Sequence, residues 1–171
     1  MSHRNWCIRE LNTFLDRYSL LDVTNKKVLE IGTSDDVEVK NYLESLNYEY
    51  AAIEKNEKHK EPYRIIADMN NMPFNDNSFD LVISIHSFEH TLDPIKSLQE
   101  MKRVSSKYIF IATPYPCRKQ ILEGDEDHLF ILNELQMERL FRWCKIEKIN
   151  IYCDNKQDRE QDFNLIAIGE V

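Results

Sequence analysis

The sequence predicts an α/β fold: a doubly wound, seven-stranded, mostly parallel sheet with an antiparallel last strand. Three observations carry this reading. Short apolar runs alternate with stretches of helical periodicity along the chain. The runs stop at Gly, Glu, Asp, His or Thr-Pro, as buried parallel strands do before a crossover. Two consecutive strand-like runs, joined by the charged loop 154–162, close the chain and provide for one antiparallel insertion. With 171 residues, 42% hydrophobic and 30% charged, the chain is expected to form one domain over 1–171. That size buries about 70% of the unfolded surface, so no disulfide or metal staple is needed.

The elements follow in order. Ile8, Leu11, Leu15 and Tyr18 share one face of an N-terminal helix within 1–22, a possible substrate lid over a core spanning 26–169. Trp6, Phe14 and Tyr18 read as packing of that helix rather than as a substrate cage. Lys27–Ile31 is a buried strand ending at Gly32. Val39, Tyr42, Leu43 and Leu46 mark the next helix, with Asp35 and Glu38 at capping-box spacing before it. Tyr48–Glu54 and Arg64–Ala67 are the second and third strands. Turn-rich 75–78 introduces the clearest strand, Phe79–Ile85. Asp93-Pro94 pairs an N-cap with proline at the first helical position, opening a helix with Ile95, Leu98, Met101 and Val104 inward. Tyr108–Ala112 is the fifth strand, Asn133 and Gln136 cap a helix through Trp143, and Ile146–Tyr152 and Phe163–Ile168 finish the sheet.

Charge narrows the partners. A net charge of −8 and a pI near 5.2, with no basic run longer than a pair, argue against nucleic acid and against an anionic membrane surface. No apolar run approaches the roughly 20 residues of a membrane span, and the first residues lack the apolar stretch of a signal peptide. Four cysteines without C-x-x-C or zinc spacing read as reduced thiols. The expectation is a soluble, cytoplasmic protein with a small-molecule substrate.

In such sheets ligands bind beyond the carboxyl ends of the strands, where the winding reverses. Glu30 and Gly32 close the first strand, Glu54 the second; Asp68 follows the third, and His86, Glu89 and His90 follow the fourth. Gly32 lets backbone approach a ligand before a helix N-terminus that favours an anionic group. Glu54 is placed to accept from a ribose diol and Asp68 from an exocyclic amine. An unpaired carboxylate at Glu30, inside an apolar strand, would be costly. Together these describe a pocket for a nucleoside with a carboxylate or phosphate tail.

Several segments resemble class I S-adenosylmethionine-dependent methyltransferases, in particular a small, type-11-like methyltransferase domain. Val28-Leu29-Glu30-Ile31-Gly32 resembles the family's first motif, and residues 72–84 resemble its run into the fourth strand. Ser87-Phe88-Glu89-His90 and Asp127-His128-Leu129-Phe130 with Leu135 resemble later segments, so that the likeness covers about 26–169. It implies a Rossmann-like methyltransferase fold, S-adenosylmethionine as cofactor, and cofactor contacts at Glu30, Gly32, Thr33, Ser34, Glu54, Asp68, Met69 and His86. By the same resemblance Glu54 holds the ribose hydroxyls, Asp68 the adenine amine, Met69 the adenine face, and His86 the methyl-donor side. The chain departs from the family where further glycines are usual: Ser34 and Asp36 stand there, and Asp35 and Asp36 bring negative charge toward the cofactor carboxylate.

The implied reaction is SN2 methyl transfer to an oxygen or nitrogen nucleophile. It needs in-line positioning more than a base, and the candidate bases are His86 and His128. His90 reads as structural. No metal is expected: 123–128 misses the EF-hand pattern and reads as a solvated acidic loop. The alternative is a catalytically impaired methyltransferase-like binding or regulatory module; a nicotinamide dehydrogenase is disfavoured because Gly-x-Gly-x-x-Gly is absent after the first strand.

Overall fold

The computed structural model of the chain describes residues 3–21, 24–33, 37–59, 61–115, 128–153 and 164–171. Seven strands form one sheet: β1 (Lys26–Ile31), β2 (Tyr48–Glu54), β3 (Arg64–Ile66), β4 (Phe79–Ile85), β5 (Ser105–Pro114), β6 (Glu147–Cys153) and β7 (Asn164–Glu170). Their order is β3-β2-β1-β4-β5-β7-β6. Every pairing from β3 to β5 is parallel, while β7 runs antiparallel to both β5 and β6. The expected sheet is therefore the observed one, with the last strand inserted beside the fifth.

Strict alternation along the strands builds two cores. Leu29, Ile31, Val82, Ile109, Ile111, Leu165 and Ala167 face one side, covered by α3 (Pro94–Val104) and α4 (Glu134–Trp143). Val28, Leu81, Ile83, Tyr108, Phe110, Ile166 and Ile168 face the other, covered by α1 (His3–Arg17) and α2 (Glu38–Ser45). Sheets with helices on both faces bury both sets, which is why these strands read as continuous apolar runs. In α1, Leu11, Phe14 and Leu15 are buried on the sheet face, and the Phe14 ring lies 5.8 Å from Tyr108 and 5.5 Å from Phe110. This length of the helix is a layer of the core.

The caps divide. Asp93 accepts from the Lys96 N–H at 3.0 Å, with Pro94 at the first turn. Asn133 and Gln136 form the full reciprocal box at 2.9 and 3.0 Å. At α2, Val37 is the N-cap and makes no side-chain cap bond, and Glu38 opens the helix; the expected partner of Glu38, Asp35, lies outside the described residues. Ile95 departs from its expected inward place: it is 41% exposed, and Ser97 takes a buried place beside Leu98 and Met101.

Basic residues at the end of α3 do more than complement its dipole. Arg103 donates to Glu100, to Asp76 and to the carbonyls of Phe74 and Met72, all at 2.7–3.0 Å. It thereby clamps the 72–78 turn that introduces β4. Glu100 accepts in addition from the Met72 N–H, and Arg103 holds its carboxyl below the ordinary value of 4.5. Lys102 donates to the carbonyls of Cys144 and Lys145 at the end of α4. No described helix is long and apolar enough to cross a membrane.

Candidate functional site

The winding reverses between β1 and β4: the chain runs outward through β2 and β3, then returns to the other side of β1. The two carboxyl ends splay apart there, which opens the crevice characteristic of such sheets. A cavity of about 280 Å³ occupies this position. Its wall comes from the ends of four strands in turn: Ile31 and Gly32, then Ile53 to Asn56, then Ala67 to Asn70, then His86 and Ser87, with His90 to Leu92 at the rim.

Gly32 is fixed by two independent constraints. Its φ of +71° lies in the left-handed region, and an added Cβ would meet Ser87 Oγ at 2.2 Å and Ser87 Cβ at 2.5 Å. Ser87 donates to the Gly32 carbonyl at 2.8 Å, stitching the end of β4 to the end of β1. The close approach that the sequence suggested is thus made first to Ser87, within the protein itself. His86 also has positive φ, 51°, and its N–H donates to the Ala112 carbonyl at 2.8 Å. Non-glycine residues held in this region cost energy and concentrate at functional sites.

Glu54 ends β2 only 9% exposed, and its carboxylate accepts from the Asn56 N–H at 3.0 Å. Asp68 accepts from the Asn70 N–H at 2.8 Å and pairs with the Lys55 ammonium at 2.8 Å. The Lys55 contact is the main cause holding the Asp68 carboxyl below its ordinary 3.8. Asp68 is therefore both a turn residue and a cavity residue. Asn70 accepts from Ser97 at 2.8 Å and donates to Thr91 at 3.2 Å, tying the loop after β3 to the turn after β4.

Of the expected cofactor residues, Gly32, Glu54, Asp68, Met69 and His86 come together around the cavity. Glu30 and Thr33 are buried outside its lining. Glu30 accepts a 2.5 Å hydrogen bond from the Tyr50 hydroxyl across the β1–β2 pair. Burial and the adjacent carboxylate push the Tyr50 phenol far above its ordinary range, so it stays a donor. Ser34, with Asp35 and Asp36, lies outside the described residues, as does most of the 123–128 run. His128 stands outside the lining, its ring 5.0 Å from that of His90.

Sequence reasoning assigned no part to Lys55 or Asn70, and gave Ser87 and Glu89 only a place in the segment after the fourth strand. A lysine directly after a strand-end glutamate was the available signal for the first. Nothing local could show that it reaches Asp68.

Comparison with known proteins bears on the fold. A family model described as a methyltransferase domain matches residues 37–108, from the start of α2 into β5. No curated protein sequence matches the chain. A SAM-dependent methyltransferase from Archaeoglobus fulgidus superposes with a TM-score of 0.72 at 17% identity, covering 95% of this chain and 94% of that one. Phosphoethanolamine N-methyltransferase 2 of Haemonchus contortus, in complex with phosphomonomethylethanolamine and S-adenosylhomocysteine, gives 0.70 at 13% identity over 94% of this chain and 52% of that one. The DszA carbon methyltransferase gives 0.70 at 13% identity, over 98% and 53%. The fold is that of the class I S-adenosylmethionine-dependent methyltransferases.

Proposed function

We propose that this chain, with a class I methyltransferase fold and a methyltransferase-domain match over residues 37–108, is an S-adenosylmethionine-dependent methyltransferase acting on an oxygen or nitrogen nucleophile of a small molecule. The observation that carries the reading is the cavity at the winding reversal, which gathers Gly32, Glu54, Asp68, Met69 and His86 from four strand ends. Its donor set suits the cofactor. A carboxylate at the end of β2 matches a ribose diol, apolar Ile31, Ile53 and Met69 offer faces to a purine, and Asp68 offers an acceptor to its amine.

When bound, S-adenosylmethionine supplies an electrophilic methyl group on a sulfonium. The chain's residues supply position and charge. Glu54 holds the ribose hydroxyls, with its carboxylate steadied by the Asn56 N–H. Lys55 and Asn70 keep Asp68 ionised and oriented as an acceptor. Gly32 and Ser87 set the spacing between β1 and β4 at the cavity floor. His86 borders the acceptor side and can take the proton an oxygen or nitrogen nucleophile releases. Its Nδ1 stands 3.6 Å from the buried Glu89 carboxylate, a charge opposite to that of the imidazolium so formed. The acceptor is proposed to enter over 87–93, where Leu92 is exposed at the rim.

Calorimetric titration with S-adenosylmethionine and S-adenosylhomocysteine tests this. One site per chain is expected. Glu54→Ala should weaken binding by about 1–3 kcal/mol, the worth of hydrogen bonds to a charged group. No binding at millimolar cofactor would overturn the reading.

A further inference from the structure

The turn after β4 carries a second cluster, built on the Glu89 carboxylate that also stands 3.6 Å from His86 Nδ1. Glu89 is 1% exposed, and neither of its carboxylate oxygens accepts a hydrogen bond among the described residues. A buried carboxylate in that condition is expensive and calls for a positive partner. Its side chain converges with two imidazoles: Glu89, His90 and His128 each offer a ligand atom, and these atoms all lie within 4.8 Å of one another. The backbone enforces the meeting, because the Leu129 and Phe130 N–H groups both donate to the Glu89 carbonyl, at 2.9 and 3.2 Å. Residues 128–130 are thereby docked onto the turn, and the His90 and His128 rings stand 5.0 Å apart.

We propose that Glu89, His90 and His128 form a binding site for a divalent transition metal at the rim of the cavity. Two nitrogens and one carboxylate suit Zn²⁺, Co²⁺, Fe²⁺ or Mn²⁺ rather than Ca²⁺ or Mg²⁺, which favour oxygen ligands throughout. Bonds of about 2.1 Å place tetrahedral ligand atoms about 3.4 Å apart. Closing from the present spread of up to 4.8 Å calls for movement of the two imidazoles, His90 being exposed and His128 half-buried. Three protein ligands leave at least one coordination position open, the arrangement of catalytic rather than structural sites. Because His90 also lines the cavity, that position borders the space where ligands enter. It would take water, or an oxygen or nitrogen of the acceptor; this last use rests on the methyl-transfer reading, whereas metal binding does not.

The test uses the untagged chain, cleared of metal with a chelator and titrated with Co²⁺. One equivalent should bind with the visible d–d bands of a low-coordinate ion, and Zn²⁺ should displace it. Loss of a ligand should cost at least the roughly 10- to 100-fold seen for outer-shell partners, so both Glu89→Gln and His128→Ala should weaken Co²⁺ binding by that factor or more. Glu89→Gln preserves shape at a buried site; should it fail to fold, His128→Ala, at a partly exposed position, carries the test. Absence of Co²⁺ binding at millimolar concentration, or unchanged affinity in His128→Ala, overturns the site. Calorimetry with S-adenosylmethionine on the same preparation separates the two readings: metal bound without cofactor sustains this site and removes the methyltransferase reading, and the converse does the opposite.

Discussion

Replacing Gly32 by alanine probes the joint between β1 and β4 on which the cavity depends. Two costs add. A residue with a Cβ at φ +71° carries the left-handed penalty of about 1–2 kcal/mol. The new carbon would also stand 2.2 Å from Ser87 Oγ and 2.5 Å from Ser87 Cβ. Rotating the hydroxyl relieves only the first contact, so backbone must shift, an overpacking cost of about 1–3 kcal/mol. The sum, about 2–5 kcal/mol, is a large part of the roughly 5–15 kcal/mol that stabilises an ordinary domain. Urea unfolding followed by circular dichroism should show the loss as a lower midpoint with an unchanged slope. A double-mutant cycle with Ser87→Gly separates the two causes: removing Oγ and Cβ together should restore the overpacking part and leave the left-handed part. A loss below about 0.5 kcal/mol in Gly32→Ala would refute both constraints on Gly32, and additive effects of the two substitutions would refute the contact with Ser87.

Other outcomes follow from single contacts. Tyr50→Phe withdraws the 2.5 Å donor to buried Glu30 and should cost about 1–3 kcal/mol by the same unfolding assay; a change under about 0.5 kcal/mol would deny that bond a structural role. Asn133→Ala removes one half of a capping box on α4 and should cost about 1 kcal/mol, with Asn133→Asp close to neutral. Acid sensitivity is expected from Glu100, whose folded pKa lies below its ordinary 4.5. A depressed carboxylate contributes stability above the unfolded value and loses it as pH falls through the folded one. Glu100→Gln should therefore be less stable than the wild type near pH 7, with the gap closing as pH drops below about 4.5; a gap independent of pH would assign the contribution to something other than ionisation.

Much of the fold was legible because its causes are local and repeated. Each core strand is buried on both faces, so Leu81-Val82-Ile83 or Ile109-Phe110-Ile111 is apolar throughout and stands out against amphipathic helices. The caps at Asp93 and Asn133 were legible for a similar reason, since donor and acceptor lie three residues apart. Where local evidence was ambiguous the reading failed. Ile95 lies in the first turn of α3 with helical periodicity, yet the apolar stripe that reaches the sheet begins beyond it.

The site divides along the same line. Sequence order alone places polar residues at the carboxyl ends of parallel strands, and Gly32, Glu54, Asp68 and His86 needed nothing further to be gathered at one cavity, whereas Met69 was named through the family resemblance. The pairings among side chains were a different matter. Glu30 with Tyr50, Lys55 with Asp68 and Gly32 with Ser87 join residues that the chain separates and the sheet or its loops bring together. A pattern of apolar positions specifies which face of a strand is buried, because burial depends on periodicity. It does not specify which polar group across the sheet answers a given carboxylate, because that depends on register, on strand order and on where two loops touch. The sheet and its crevice are thus written in the order of residues, and the chemistry of the crevice is settled by distances that arise only once the chain has folded.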